Sequence, residues 1–156
     1  MVDLRFPSPM LTQDNLDIAA KTVWAEARGE GEEGMRAVAA VIVNRALSAQ
    51  NYIAKHQDKT RHPLFGDGGL GSASQAKWQF SCWNAGDPNK SQMENLSPTD
   101  PGYKKAMDAV VWAVQNADPT QGASHYYASS IEQPAWAADA TFTKKIGAHL
   151  FYKNVP

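Results

Sequence analysis

The sequence predicts a mainly helical α+β domain on three observations. Apolar residues recur at helical spacing in three long stretches, two short aromatic segments near the C-terminal end are too brief for helices, and 156 residues suffice for one core. A chain of that length removes roughly two-thirds of its unfolded surface from water. A single domain over residues 1–156 is therefore expected, with 1–12 as an N-terminal extension.

The first helix is read over about residues 14–28 from Leu16, Ala19, Ala20, Val23 and Ala27, with Thr12 or Asp14 as its cap and Gly29 as its stop. A second follows almost at once in Met35, Val38, Ala39, Ile42, Val43 and Ala46. Ala37, Ala40 and Val41 fill much of its opposite side, so this helix should be buried. From about Asn51 to Pro101 the periodicity fades, and GDGGLGSAS reads as a flexible loop. Structureless stretches of that length are rare in compact domains, so short helical turns are expected around Tyr52 to Lys55 and near Trp78. Asp100-Pro101 has the form of a cap followed by a first helical position. Tyr103, Met107, Val110, Val114 and Ala117 then mark a third long helix, ending near Asp118-Pro119. SHYYASS and KKIGAHLFYK are the candidate strands or extended segments.

Composition narrows the partners. No apolar run approaches the roughly 20 residues of a membrane helix. With 15 Lys and Arg against 16 Asp and Glu, a net charge of −1 provides no attraction to nucleic acid or an anionic membrane. A polar, weakly charged ligand fits better. Cys82 is the single cysteine, which excludes an intramolecular disulfide and any cysteine-rich metal site.

Glu26 is the first candidate for chemistry. It lies roughly 75° from the centre of its helix's apolar stripe, at the edge of the buried face. Partial desolvation there raises a carboxyl pKa, as a general acid acting on a glycosidic oxygen requires. The structural alternatives are a solvated residue, a partner for Thr22 one turn back, or half of a salt bridge. Glu30, Glu32 and Glu33 sit among glycines before the second helix, where carboxylates favour the N-terminus. Arg28 and Arg45 read as structural partners for such acids. Of His56, His62, His125 and His149, none has short metal-ligand spacing, and His125 beside two tyrosines is the most site-like. Trp24 and Trp112 belong to helical patterns, whereas Trp78, Trp83 and Trp136 sit in loop-like text suited either to plugging a core or to packing on sugar faces.

Several stretches taken together resemble the SleB-type cell-wall hydrolases, a family that includes spore-cortex lytic enzymes and some bacteriophage endolysins. The stretches are VWAEARGEGEEGMRAVAAVIVNR, QFSCW, GASHYY, PAW and KIGAHLFYK, in family order over nearly the whole chain. The resemblance implies a lysozyme-like fold and lytic transglycosylase chemistry on the bond between N-acetylmuramic acid and N-acetylglucosamine. The glutamate of the first motif, Glu26 here, is then the catalytic acid. Gln79, Phe80, Ser81, His125, Tyr126, Tyr127 and Trp136 become candidate substrate-binding residues, with one of the two tyrosines supporting the acid. No cofactor or metal is implied, the partner is bacterial peptidoglycan, and a monomer is expected. HPLFGDGGLGSASQAKW is longer and richer in glycine than the family pattern, which bears on substrate selection.

Two rival readings belong to other classes: a zinc amidase using His125 and His149, and a peptidoglycan-binding module without catalysis. A hydrolytic muramidase would need a second carboxyl, for which Asp118 and Asp139 are candidates. The start MVDLRFPSPM lacks a secretory signal pattern, so the expectation is an endolysin held in the host cytoplasm until release to the wall, or otherwise a bacterial wall enzyme.

Overall fold

The computed structural model describes residues 5–76 and 80–156. Its frame is helical: α1 (Gln13–Ala27), α2 (Glu32–Lys55), α3 (Leu70–Gln75), α4 (Pro88–Glu94) and α5 (Pro101–Gln115) precede strands β1 (His125–Ala128), β2 (Thr141–Ile146) and β3 (His149–Lys153). Short 3₁₀ turns occupy Ser8–Met10, Ser81–Trp83 and Ala135–Asp139. This is the mainly helical α+β class expected, with the three long helices near their predicted positions.

Cap chemistry explains the helix starts. The Thr12 side chain accepts from the Asn15 backbone N–H at α1, and Asp100 accepts from Tyr103 N–H at α5, whose first position is Pro101. Alanine and valine then let the helices approach closely, because short side chains keep the backbones near one another. Ala19, Ala20 and Val23 of α1 join Val38, Ala39, Ile42 and Val43 of α2 and Ala106, Val110 and Ala113 of α5 in one core. Phe6 enters that core as well, and the Arg5 N–H donates to the Val114 carbonyl at 2.7 Å, so the segment before α1 is stitched to the helical bundle.

Three local expectations require correction. The short turn expected around Tyr52 to Lys55 is not separate but is the end of the second helix, which runs continuously to Lys55 because Leu47, Ala49 and Tyr52 keep enough apolar contact to extend it. The glycine-rich stretch is not simply loop, since α3 forms within it. Gly71 packs so closely on α1 that an added Cβ would lie 2.6 Å from Asn15 Oδ1, and its N–H donates to that oxygen at 2.8 Å. Helix α4 was missed as well: Asp87 caps it and Pro88 opens it. The expected turn at Trp78 lies outside the described residues.

The sheet is antiparallel in the order β1-β3-β2. Strands β2 and β3 are joined by the two-residue turn Gly147-Ala148, with Gly147 at φ +58°, a conformation that glycine adopts at little cost. Strand alternation divides the side chains between two faces. Tyr126, Phe151 and Ile146 pack toward α2, while Tyr127, Tyr152 and Trp136 form a separate aromatic cluster.

Candidate active site

Glu26 occupies the last turn of α1, where the negative end of the helix dipole disfavours an anion. Its Oε1 accepts a 3.0 Å hydrogen bond from the Tyr126 hydroxyl on β1. Burial is the largest influence on this carboxyl and raises its pKa. The Tyr126 bond and the Arg45 charge pull it back, Asp87 pushes it up again, and the result stays above the ordinary carboxylate value. The buried Tyr126 hydroxyl is in turn held well above its usual pKa, by burial and then by Glu26, so it remains a donor.

The sheet decides between the two tyrosines. Tyr126 and His149 share a face, with ring centroids 4.8 Å apart, and Tyr126 also packs 5.5 Å from Phe151. Tyr127 points the other way, where its hydroxyl lies 3.3 Å from that of Tyr152 and its ring meets Trp136 edge-on. Thus Tyr126 contacts Glu26, and Tyr127 with Trp136 belongs to the opposite face. His125 lies on the Tyr127 side, 5.3 Å from the Trp136 ring, with Nδ1 on the Ser124 hydroxyl at 2.8 Å. Burial, and then Arg45, lowers its pKa to about 4, so it is neutral at physiological pH.

QFSCW supplies the neighbouring wall. Phe80 is buried with its ring 6.5 Å from Tyr126, whereas Ser81 is exposed. Gln79 lies outside the described residues. Cys82 is buried, and burial first, with Glu26 and Asp87 behind it, pushes its thiol above the ordinary range. A thiol so disfavoured as an anion is unsuited to nucleophilic chemistry. Trp83 is tied to α1, since its Nε1–H donates to the Thr22 hydroxyl at 2.8 Å, and Thr22 donates to the Ile18 carbonyl. Thr22 is therefore occupied by Trp83 and its own helix.

Glu32 and Glu33 stand in the first turn of α2, as the sequence reading has them, whereas the other acids take other roles. Glu32 pairs with Arg36 one turn along α2. Glu30 instead reaches β3, its Oε1 lying 3.4 Å from His149 Nδ1 without the alignment of a hydrogen bond. Burial keeps His149 below its ordinary pKa although Glu30 opposes it, so this contact is chiefly packing around a neutral ring. Asp118 is a loop organiser. Burial would raise its pKa, but donors on Thr120, Asn44 and Gly122 outweigh burial and hold it low. Asp139 is exposed on a 3₁₀ turn. Asp87, not singled out in the sequence, is the carboxylate that acts electrostatically on Glu26, and its only local signal was the Asp-Pro cap of α4.

Arg28 and Arg45 form no ion pair among the described residues. Arg28 caps α1 through the Trp24 and Ala25 carbonyls and stacks on Trp24 at 4.1 Å. Arg45 is buried within α2.

The paired histidines of the zinc reading are separated by the register. His149 pairs with Ala128, three positions along β1 from His125 and on the opposite face of the sheet. They cannot share one ion without dismantling the strands. Among the described residues no group of three His, Cys, Asp or Glu side chains has metal-binding geometry. Concavities of about 570 and 350 Å³ border the start of α2 at Gly31, Glu32 and Arg36 and at Glu33, Trp112 and Lys145, and Glu26 lines neither. Chemistry rather than concavity locates the candidate site.

The sequence model of the cell wall hydrolase family matches residues 29–152, beginning just after Glu26. The spore cortex-lytic enzyme of Oceanobacillus iheyensis is 31% identical over 142 residues, which cover 91% of this chain and 42% of that protein. That of Bacillus subtilis is 27% identical over 140 residues, 90% of this chain and 38% of the relative. The chain thus spans less than half the length of these curated relatives. Among solved structures, the catalytic domain of the Bacillus cereus SleB protein is 27% identical with a TM-score of 0.69, over 96% of both chains. The catalytic domain of the germination-specific lytic transglycosylase SleB from Bacillus anthracis is also 27% identical, with a TM-score of 0.68 over 94% of this chain and 99% of that one.

Proposed function

The chain belongs to the SleB-type cell wall hydrolase family, and from that membership we propose that it is a peptidoglycan lytic transglycosylase with Glu26 as its acid and base. One observation carries the assignment to this residue: a half-buried carboxyl with a raised pKa whose Oε1 is already occupied by the Tyr126 hydroxyl. With Oε1 engaged as an acceptor, the proton resides on Oε2. That oxygen is the one available to substrate.

Oε2–H protonates the glycosidic oxygen while the bond to C1 of the muramic acid breaks and positive charge develops on that sugar. The resulting carboxylate, stabilised by Tyr126, takes the proton of the C6 hydroxyl as O6 bonds to C1. A 1,6-anhydro ring closes, Glu26 regains its proton, and no water is consumed. A single carboxyl serves both steps, which accords with the structural employment of Asp118. Gln79, Phe80, Ser81 and His125 are proposed to bind the glycan. Trp136 and Tyr127 contribute from the outer face, through the contact of Trp136 with His125.

Asp87 favours one alternative, a hydrolytic muramidase in which that second carboxylate activates water. Mass analysis of muropeptides from digested peptidoglycan separates the two. Anhydro ends, one water lighter, are expected; reducing muramic-acid ends would transfer the assignment to the hydrolase. Glu26→Gln should abolish release while the protein stays folded, and near-normal lysis would overturn the role of Glu26. The same digest run on vegetative walls and on spore cortex reads out the setting. Release from vegetative walls is expected of an endolysin, and release confined to cortex assigns a germination role.

A further inference from the structure

Among the described residues Arg45 is the only buried Lys, Arg, Asp or Glu, at 3% exposure. No carboxylate lies within ion-pair distance of it there. Its Nε donates to the Ser124 carbonyl at 2.6 Å, while Nη1 is buried with no partner among the described residues. Such an arrangement is unfavourable for stability alone, because an aliphatic side chain of similar shape would avoid the desolvation. The guanidinium is nevertheless held in one place: its centre lies 4.6 Å from the Phe80 ring and 5.5 Å from the Phe65 ring.

Two of the groups that hold Arg45 also adjoin Tyr126, the donor to the candidate acid. Ser124 is two residues before Tyr126 and leads into β1, and the Phe80 ring faces Tyr126. We propose that Arg45 is a positioning residue, which seats the strand carrying Tyr126 and supplies a fixed positive charge on the interior side of the Glu26–Tyr126 pair. This rests on the reading of Glu26 as the acid. The chemistry explains why a charge belongs there: Glu26 must pass from neutral acid to carboxylate and back within each turnover. Because Arg45 is buried and substrate arrives from solvent, its charge stabilises the carboxylate without occupying the sugar's place. Desolvation lowers the guanidinium pKa to about 10, and the side chain therefore stays cationic at neutral pH.

The titration of Glu26 provides a readout that a packing role would not move. The groups acting on Glu26 are Tyr126 from β1, Arg45 from α2 and Asp87 from the loop before α4; the Cys82 thiol senses it from the 3₁₀ turn, and the Glu30–His149 contact lies beyond Tyr126. Only Arg45 is altered in the test. Wild type, Arg45→Lys and Arg45→Met are compared by carboxyl NMR of Glu26, by kcat and KM against pH on purified peptidoglycan, and by thermal melting. In Arg45→Met the Glu26 titration and the alkaline limb of kcat should move up by about one pH unit. Its kcat should fall about tenfold or more, with KM little changed. Arg45→Lys should restore the titration because it keeps the charge, but only part of kcat because it loses the Ser124 bond and the guanidinium stacking. Should Arg45→Met fail to fold, Arg45→Gln takes its place against Arg45→Lys.

An unmoved Glu26 titration in a folded neutral variant overturns the proposal, as does a loss of activity that follows the folded fraction alone. The acid assignment fails separately. It falls if Glu26→Gln remains active, and the NMR titration still decides whether Arg45 acts on Glu26.

Discussion

Replacing Glu26 with glutamine should destroy activity and, at neutral pH, make the protein more stable. Burial raises the folded-state pKa of Glu26 above its unfolded value, and Tyr126 and Arg45 recover only part of the difference. The sign follows from linkage: the folded state binds the Glu26 proton more tightly than the unfolded state. The resulting stabilisation is complete below the unfolded pKa and is lost as pH rises through the folded one. Glutamine imitates the protonated form at every pH and keeps an amide oxygen for the 3.0 Å bond from Tyr126. Below the ordinary carboxylate pKa the two proteins should therefore melt in parallel. Between the unfolded and folded pKa values the wild type should fall behind by about 1.4 kcal/mol for each pH unit. For a domain of this size that is about 3–5 °C of Tm per unit. The assay is differential scanning calorimetry of both proteins at half-unit steps from about pH 4 to pH 8, with the difference analysed so that other titrations cancel. A constant difference across this range would mean that folding does not perturb Glu26, and the argument that it carries a proton into catalysis would fail.

The two tyrosines should separate just as clearly. Tyr126→Phe removes the donor to Glu26, so its kcat should drop about ten- to a hundredfold, with the alkaline limb of the pH profile moving up. Tyr127→Phe loses only the 3.3 Å contact with Tyr152 and should keep kcat within about twofold, as steady-state assays on peptidoglycan would register. Gly34→Ala would place a Cβ 2.5 Å from that of Glu30, where the turn between α1 and α2 approaches β3. Overpacking of this kind should cost about 1–3 kcal/mol in urea melts. Because His125 and His149 face opposite sides of the sheet, a chelator should leave glycan cleavage unchanged and dialysis against it should leave Tm unaltered. Lost activity restored by zinc would revive the amidase reading.

The apolar pattern by itself determined the helical frame. Helices α1 and α5 were legible because their caps and periodicities are local, within the reach of one turn. Extended structure was legible in SHYYASS and KKIGAHLFYK because both are short and aromatic, but the hairpin was not, since its turn at Gly147-Ala148 divides the second segment between β2 and β3. Less was readable between α2 and α5, where α3 depends on Gly71 packing against Asn15 and hence on a partner 56 positions away. Glu26 was legible as a carboxyl at the edge of a buried stripe, and its motif placed it in a family pattern. Its environment was not legible, because the groups that surround it are remote in sequence. Tyr126 lies 100 positions away, and strand alternation sends neighbouring tyrosines to opposite faces whichever of them meets the acid. The register with β3 and the packing of that sheet on α2 made the choice. Arg45 illustrates the same division: its place on a buried helix could be read locally, but the Ser124 carbonyl and the two phenylalanine faces that hold its charge exist only once the sheet is docked. Local periodicity is written into a stretch of chain, whereas desolvation and charge proximity are properties of what packs around a residue. The sequence therefore determined which carboxyl stood at the edge of the core, and the tertiary structure decided what that carboxyl meets there.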